Sequence, residues 1–295
     1  AEYVSFTDIT TNVAVTAKKG SAPYPWSYVG GFAGTVKNAD FLRCVNNGTV
    51  TTDGDYVSGF AAKSETTTYT SCVNNGAITG NGYVAGIVGQ TTKGVTACYN
   101  TGSITGAGNY VAGIVAFASG ASASVKNCFN RAYVKSPGSN VGAVVGMTNN
   151  ASAVMSNLYY LNFTCAQGIG SAKSTSQTAG SKTRAEMDSA DFVTTMNTGM
   201  TGTFGSSRYS PALSWQTDLI GLTTPTKGNV TLDPFGYVDK DDLTLLQEWV
   251  DEGKDINQLT LEQRAQADID GNGYLDEEDV NAITQYLEDP RENPL

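Results

Sequence analysis

Residues 268 to 279 read Asp-Ile-Asp-Gly-Asn-Gly-Tyr-Leu-Asp-Glu-Glu-Asp, with oxygen-bearing side chains at loop positions 1, 3, 5, 9 and 12 and glycine at position 6. That spacing is calcium chemistry. A hard cation of this size takes roughly six to eight oxygen ligands, so a chain supplying most of them must bend around the ion. Gly273 permits the sharp turn, while Asp268, Asp270, Asn272 and Asp279 converge; the Tyr274 carbonyl is expected to complete the shell, and Asp276 to act directly or through water. A bare acidic loop is the alternative, but this many spaced matches argue against chance.

A degenerate copy precedes it by 37 residues: Asp242-Leu-Thr-Leu-Leu246 aligns with Asp279-Val-Asn-Ala-Ile283, and Trp249 with Tyr286. With Asp242 at position 12, Thr231 falls at position 1, Asp233 at 3, Phe235 at 5, Gly236 at 6, Tyr237 at 7 and Asp239 at 9. Phenylalanine offers no ligand, so this loop is expected to bind calcium weakly or to stay empty with Phe235 packed inward. The elements positioning the two loops are a helix after each and a short connecting helix from Leu259, capped by Thr260 with Gln263.

Two loop-plus-helix halves within residues 228 to 290 resemble a dockerin, the duplicated EF-hand-like module that plugs enzymes and accessory proteins into cohesins of cellulosome-type assemblies. The resemblance implies calcium as cofactor and a scaffoldin cohesin as partner. In dockerins the cohesin is read at loop positions 10 and 11 and on the following helix. Carried over, these are Lys240, Asp241, Gln247, Glu248 and Glu252 in the first half, and Glu277, Glu278, Thr284, Gln285 and Asp289 in the second. A solvated helix face explains the same residues without a partner. Lys240 aligns with Glu277, so the halves differ in charge and one binding orientation is expected. Trp249 and Tyr286 read as core aromatics of the paired helices.

Charge divides the chain at the same place. Residues 228–295 hold 18 Asp and Glu against 4 Lys and Arg, whereas residues 1–227 hold 10 against 14, so the overall −10 describes neither part. The acidity belongs to the calcium loops, and no nucleic-acid partner follows from it.

The front part repeats. Tyr28-Val-Gly-Gly-Phe, Tyr56-Val-Ser-Gly-Phe, Tyr83-Val-Ala-Gly-Ile and Tyr110-Val-Ala-Gly-Ile recur, followed by Asn140-Val-Gly-Ala-Val; between them lie Cys44-Val-Asn-Asn-Gly, Cys72-Val-Asn-Asn-Gly, Cys98-Tyr-Asn-Thr-Gly and Cys128-Phe-Asn-Arg-Ala. A period in the twenties, with short β-branched stretches between Gly and Asn turns, marks a solenoid whose units bury their apolar faces only by stacking. The repeat resembles the GLUG motif, carried by Ala85-Gly-Ile-Val-Gly89 and Ala112-Gly-Ile-Val-Ala116, which is scattered among bacterial surface and adhesin-like proteins and extracellular peptidases.

The expected fold is therefore mainly β: a β-solenoid of about six rungs over residues 1–175, counting the units Val4 to Gly34 and Ala151 to Gly170, with a cap at 176–222. A linker at 223–227 and an all-α calcium-binding dockerin at 228–295 follow. In the cap, Thr183-Arg-Ala-Glu186 reads as a capping box opening one helix to Met196, with Met187, Phe192, Val193 and Met196 on one face, covering the open end of the rod.

Stacked identical positions invite chemical readings. Cysteines one per rung, at the same phase, point the same way and are expected to be free buried thiols rather than disulfides or metal ligands. Asn46, Asn74, Asn100 and Asn130 are expected to form an amide ladder. The Tyr28, Tyr56, Tyr83 and Tyr110 column is either a packing ladder or a glycan-stacking surface, and Tyr24 and Trp26, on a Pro-rich insertion, are further ligand candidates. Asp53 and Asp55, the only close carboxylate pair of the first 65 residues, read as turn chemistry before half of an acid and base pair.

Catalysis finds little to work with. The chain has no histidine, and no Asp or Glu lies between Glu65 and Glu186. Ser-His-Asp and Cys-His arrangements are excluded, and the central rungs cannot perform two-carboxylate hydrolysis. The expected function is a non-catalytic component docked through its dockerin, its solenoid an adhesive arm binding polysaccharide or a cell-surface glycan. A β-helical lyase or hydrolase acting at the acidic first rungs, and a passive spacer, are the alternatives. No run of 18 apolar residues exists, so no membrane insertion is expected. A secreted protein held at the bacterial surface follows from the partners implied, and the start at Ala1 suggests that a signal peptide or upstream domains were removed.

Overall fold

A computed structural model describes residues 3–20, 27–206, 211–217, 227–231, 238–259, 261–270, 272–288 and 295. The chain forms two compact units, 1–204 and 205–295. This boundary falls inside the stretch 176–222 that the sequence groups as a cap.

The first unit is a succession of mostly short strands, each paired in parallel with its equivalent one turn away. One face stacks Thr10–Thr11, Val45–Asn46, Val73–Asn74 and Tyr99–Asn100, ending on the strand Ser124–Asn130. The next stacks Val15–Ala17, Val50–Thr52, Ile78–Gly80, Ile104–Gly106 and Val134–Lys135. The third stacks Val29–Gly30, Val57–Ser58, Val84–Ala85, Val111–Ala112 and Val141–Gly142. Longer strands, such as Ala33–Leu42 and Ala61–Thr70, close the circuit. The molecule is mainly β, and this unit is a β-solenoid of about five turns.

Corners form where single residues enter the left-handed region. Arg43, Ser71, Ala97, Asn127 and Asn157, with φ from 51° to 55°, turn the chain before each inward position of the cysteine column. Tyr56, Tyr83, Tyr110 and Asn140, with φ from 52° to 63°, do so before the third face. Left-handed backbone is costly for a residue carrying Cβ, more so for an aromatic one than for asparagine. The three tyrosines are therefore held there by what surrounds them.

The interior is built from columns. Cys44, Cys72, Cys98 and Cys128 share one core with Phe41, Phe60, Tyr69, Ile87 and Ile114, while Val50, Val57, Ile78, Val84, Ile104 and Val111 fill another. Between them runs the expected amide ladder: Asn46 donates to Asn74 Oδ1, Asn74 to Asn100 and Asn100 to Asn130, each at 2.7 Å. Each amide also donates to a turn carbonyl two residues on, as Asn74 does to Gly76 at 2.8 Å. The ladder dictates the glycine of each Tyr-Val-x-Gly unit. A Cβ on Gly59 would lie 2.4 Å from Asn74 Oδ1, and one on Gly86 2.6 Å from Asn100 Oδ1.

About five turns are described where the sequence suggests about six. In the unit from Ala151, Tyr160 occupies the register of Asn130, so the amide that bridges to the next turn is missing. The chain then cuts the corner: Thr164 caps Val134 through its carbonyl, and Ile169–Ser171 already pairs with Val145–Thr148.

The helical stretch also departs from expectation. The capping box at Thr183 and Glu186 is present, but it opens a single turn, α1 (Arg184–Met187). Ser189 then caps a second helix, α2 (Ala190–Met196), by accepting the Phe192 N–H. A side-chain cap in mid-sequence offers the backbone a way out of the helix, which is why one helix becomes two. Rather than sealing the rod end, α2 lies on its flank. Phe192 packs edge-on against Tyr159 at 5.2 Å and Phe129 at 6.0 Å. Corner residues Asn127 and Asn157 donate to the Met196 and Thr195 carbonyls. Arg131, fully buried, pairs with Asp188 at 2.9 Å. The strand Gly180–Lys182 pairs with Tyr159–Leu161 of the last turn.

In the second unit, α3 (Lys240–Asp251), α4 (Leu261–Ala267) and α5 (Glu277–Glu288) surround a small core of Val230, Val238, Leu246, Trp249, Leu259, Ala267, Val280, Ile283 and Tyr286. Both aromatics are core residues, as their spacing implies. The capping pair Thr260 and Gln263 falls partly outside the described residues.

Candidate functional site

The loop ahead of α5 is a preformed acidic cup. Carboxylate oxygens of Asp268, Asp270 and Asp279 all lie within 4.8 Å of one another. Asp279, in the first turn of α5 and fully buried, accepts the Ile269 N–H at 2.7 Å, the Asp270 N–H at 3.4 Å and the Asp276 N–H at 3.2 Å. Asp268 accepts the Gly273 N–H at 3.2 Å on Oδ2, while its buried Oδ1 has no hydrogen-bond partner among the described residues. Gly273 sits at φ 87° with open space where a Cβ would be, so backbone sign alone selects glycine there.

The remaining candidates surround this cup. Asn272 accepts the Tyr274 N–H at 2.8 Å and donates its amide to Asp270 at 2.9 Å and Asp276 at 3.1 Å. That amide holds the Asp276 carboxyl below its ordinary range, whereas burial pushes Asp279 above it. The Tyr274 side chain points away, 71% exposed, which leaves only its backbone for the loop. Three facing carboxylates with an orphaned buried oxygen fit a hard cation. Burying Asp279 as an anion is costly unless positive charge lies beside it.

The first loop places Asp242, also fully buried, at the start of α3. It accepts Thr231 N–H at 2.9 Å, Thr231 Oγ1 at 2.8 Å and Asp239 N–H at 2.9 Å. Burial raises this carboxyl too. Asp239 is exposed and caps α3 through the Asp241 N–H. Asp233 and Tyr237, with Phe235, lie outside the described residues.

Of the carried-over partner residues, Lys240, Asp241, Glu248, Glu252, Glu277, Glu278 and Gln285 are exposed on or beside α3 and α5. Gln247 and Thr284 are half-buried, tied to Asp251 and to the Val280 carbonyl. Asp289 lies outside the described residues, as do Tyr24 and Trp26.

The tyrosine column is a continuous stack. Ring centroids are 4.9 Å apart for Tyr28 and Tyr56, 4.2 Å for Tyr56 and Tyr83, and 4.5 Å for Tyr83 and Tyr110. Rings stacked on one another spend their faces on each other, so Tyr56 and Tyr83 have none left for a sugar. Desolvation within the stack raises the Tyr56 and Tyr83 hydroxyls above the ordinary tyrosine range. Asp53 and Asp55 are turn residues: Asp53 accepts the Lys19 N–H, and Asp55 accepts Asn81 Nδ2 at 2.7 Å and Gly82 N–H at 3.0 Å.

The cysteines are free. Successive backbone N–H groups meet the next sulfur in the column, as Cys72 meets Cys98 at 3.4 Å. The adjoining Cys72 thiol and burial push Cys44 up, and burial foremost pushes Cys98 up, which makes those two poor nucleophiles. One feature had no signal in the repeats. A groove of about 610 Å³, lined by Val134, Lys135, Pro137, Val141, Cys165 and Gln167, opens where the last turn is cut short.

No protein-family model matches the chain, and no curated protein does. Among solved structures it is similar to one described as a "putative immunoglobulin A1 protease" from Bacteroides ovatus, at 15% identity and a TM-score of 0.46. The match covers 67% of this chain and 80% of that one.

Proposed function

We propose that this chain is a non-catalytic, calcium-dependent component of an extracellular cohesin–dockerin assembly, with the β-solenoid displayed as an adhesive or carbohydrate-binding arm. The observation that carries the docking half is the paired construction of the second unit. Two buried aspartates, Asp242 and Asp279, open two helices that share one core, and each is held by the backbone of the loop preceding its helix. In the second loop, Asp268, Asp270, Asn272 and Asp279 would hold the calcium, with Asp276 and the Tyr274 carbonyl completing the set; the ion would supply the positive charge that lets buried carboxylates remain ionised. The partner would be a scaffoldin cohesin meeting the exposed side chains of α3 and α5, which places the protein at the bacterial surface.

The solenoid lacks the groups that catalysis would need. The central turns offer no carboxylate or imidazole, the thiols are buried in line, and both Asp53 and Asp55 are engaged in turns. A passive spacer is the second reading, favoured by the self-stacked tyrosines. Incubating the full chain with a polysaccharide panel separates these readings: retention without reducing or unsaturated ends supports the binding arm. Product release would reinstate a lyase or hydrolase, and neither would leave the spacer.

A further inference from the structure

We propose that the C-terminal unit is a one-ion module, in which the Thr231 hydroxyl does for the first loop what calcium does for the second. The proposal rests on the docking-module reading and fixes its metal stoichiometry.

The two loops pose the same problem. Each must neutralise or saturate a fully buried carboxylate at position 12, Asp242 or Asp279. In the second loop position 1 is another carboxylate, Asp268. Two ionised carboxylates cannot hydrogen-bond each other, and Asp268 Oδ1 is left buried without a donor among the described residues. Among the described residues Asp279 receives backbone N–H groups only. A cation is what joins positions 1, 3 and 12 there.

In the first loop position 1 is Thr231, and the joining is done by the chain. Its hydroxyl donates to Asp242 Oδ1 at 2.8 Å, its own N–H reaches the same oxygen at 2.9 Å, and the Asp239 N–H satisfies Oδ2 at 2.9 Å. A hydroxyl donating to a carboxylate is a charge-assisted bond, among the stronger ones available to a protein. It ties the entrance of the loop to the first turn of α3, the connection that a metal makes between Asp268 and α5. Phenylalanine at position 5 removes a ligand from the same loop, in keeping with this division.

Native mass spectrometry and calorimetric titration of the full chain with calcium chloride, alongside amide chemical shifts, test this. The expected result is one calcium per chain, with Ile269, Asp270 and Gly273 amides shifting and Thr231 and Asp239 amides unmoved. Asp268→Ala combined with Asp270→Ala should take the count from one to zero. Thr231→Val, which keeps the shape and removes the donor, should leave the count at one and lower the melting temperature of this unit in calcium and in chelator alike. Two ions in the wild type, or one remaining in the double variant, would overturn the hydroxyl lock while leaving a calcium-binding docking module in place. No ion in the wild type would remove the calcium reading, and the lock with it.

Discussion

At the scale of single residues, the solenoid is specified by a partnership between asparagine and glycine. Asn74 donates to Asn100 and to the Gly76 carbonyl, and its carboxamide presses on Gly59. Asn74→Ala should cost about 2 to 3 kcal/mol, because a buried carbonyl and a buried amide acceptor lose their donor together. Gly59→Ala should destabilise the unit for the complementary reason, its Cβ having to displace the Gly86 carbonyl, 2.3 Å away, or the amide. Chemical denaturation of both variants checks the pair; a neutral Gly59→Ala would mean that the ladder yields easily. The tyrosines are a separate case. Tyr83→Asn keeps a residue tolerant of φ 52° but removes three ring contacts, with Tyr56, Tyr110 and Phe117, so it should cost about 1 to 2 kcal/mol if packing is the column's role. Columns of this kind were legible in the sequence because stacking converts a repeat into a spatial row. The left-handed backbone beneath the tyrosines was not, since nothing in the residue type foretells it.

At the scale of elements, the helices beside the last turns carry a charge-dependent cap. Glu186 accepts the Thr183 N–H at 2.7 Å, and that bond, aided by Lys182, holds its carboxyl below the ordinary glutamate range. A depressed carboxyl contributes stability that is fully present above the unfolded pKa and lost as pH falls through the folded one. Amide protection at Glu186 and Met187 should therefore decline as the solution is acidified below the ordinary glutamate range, and Glu186→Gln should flatten that dependence. Asp188→Ala should cost about 3 kcal/mol or more, because it removes a charge partner from the fully buried Arg131. Where these helices lie was the least legible part of the fold. The amphipathic pattern put Met187, Phe192, Val193 and Met196 on one face, of which Val193 is only half-buried, but the rings that meet Phe192, those of Phe129 and Tyr159, share no local pattern with the helix. The missing sixth turn has a readable cause only in hindsight of the register, with Tyr160 standing where Asn130 stands one turn earlier.

At the scale of the whole molecule, the two compact units divide the chemistry as the charge divides the sequence. The acidic unit gathers the candidate metal ligands, and the solenoid is nearly bare of carboxylates through its central turns. Loop spacing made Asp268, Asp270 and Asp279 legible as a group, because ligand geometry is local. Which carboxylate lacked a donor was not, because it depends on how the backbone N–H groups are shared. Chelation should lower the melting transition of residues 205–295 and leave that of the solenoid unchanged, as two transitions in calorimetry would record. The most direct measurement of the central claim is binding of the full chain to a panel of immobilised cohesins, with calcium and then with chelator. Capture by at least one cohesin is expected in calcium, lost in chelator and absent for Asp268→Ala with Asp270→Ala. Capture that persists in chelator, or no capture by a broad panel in calcium, would contradict the claim.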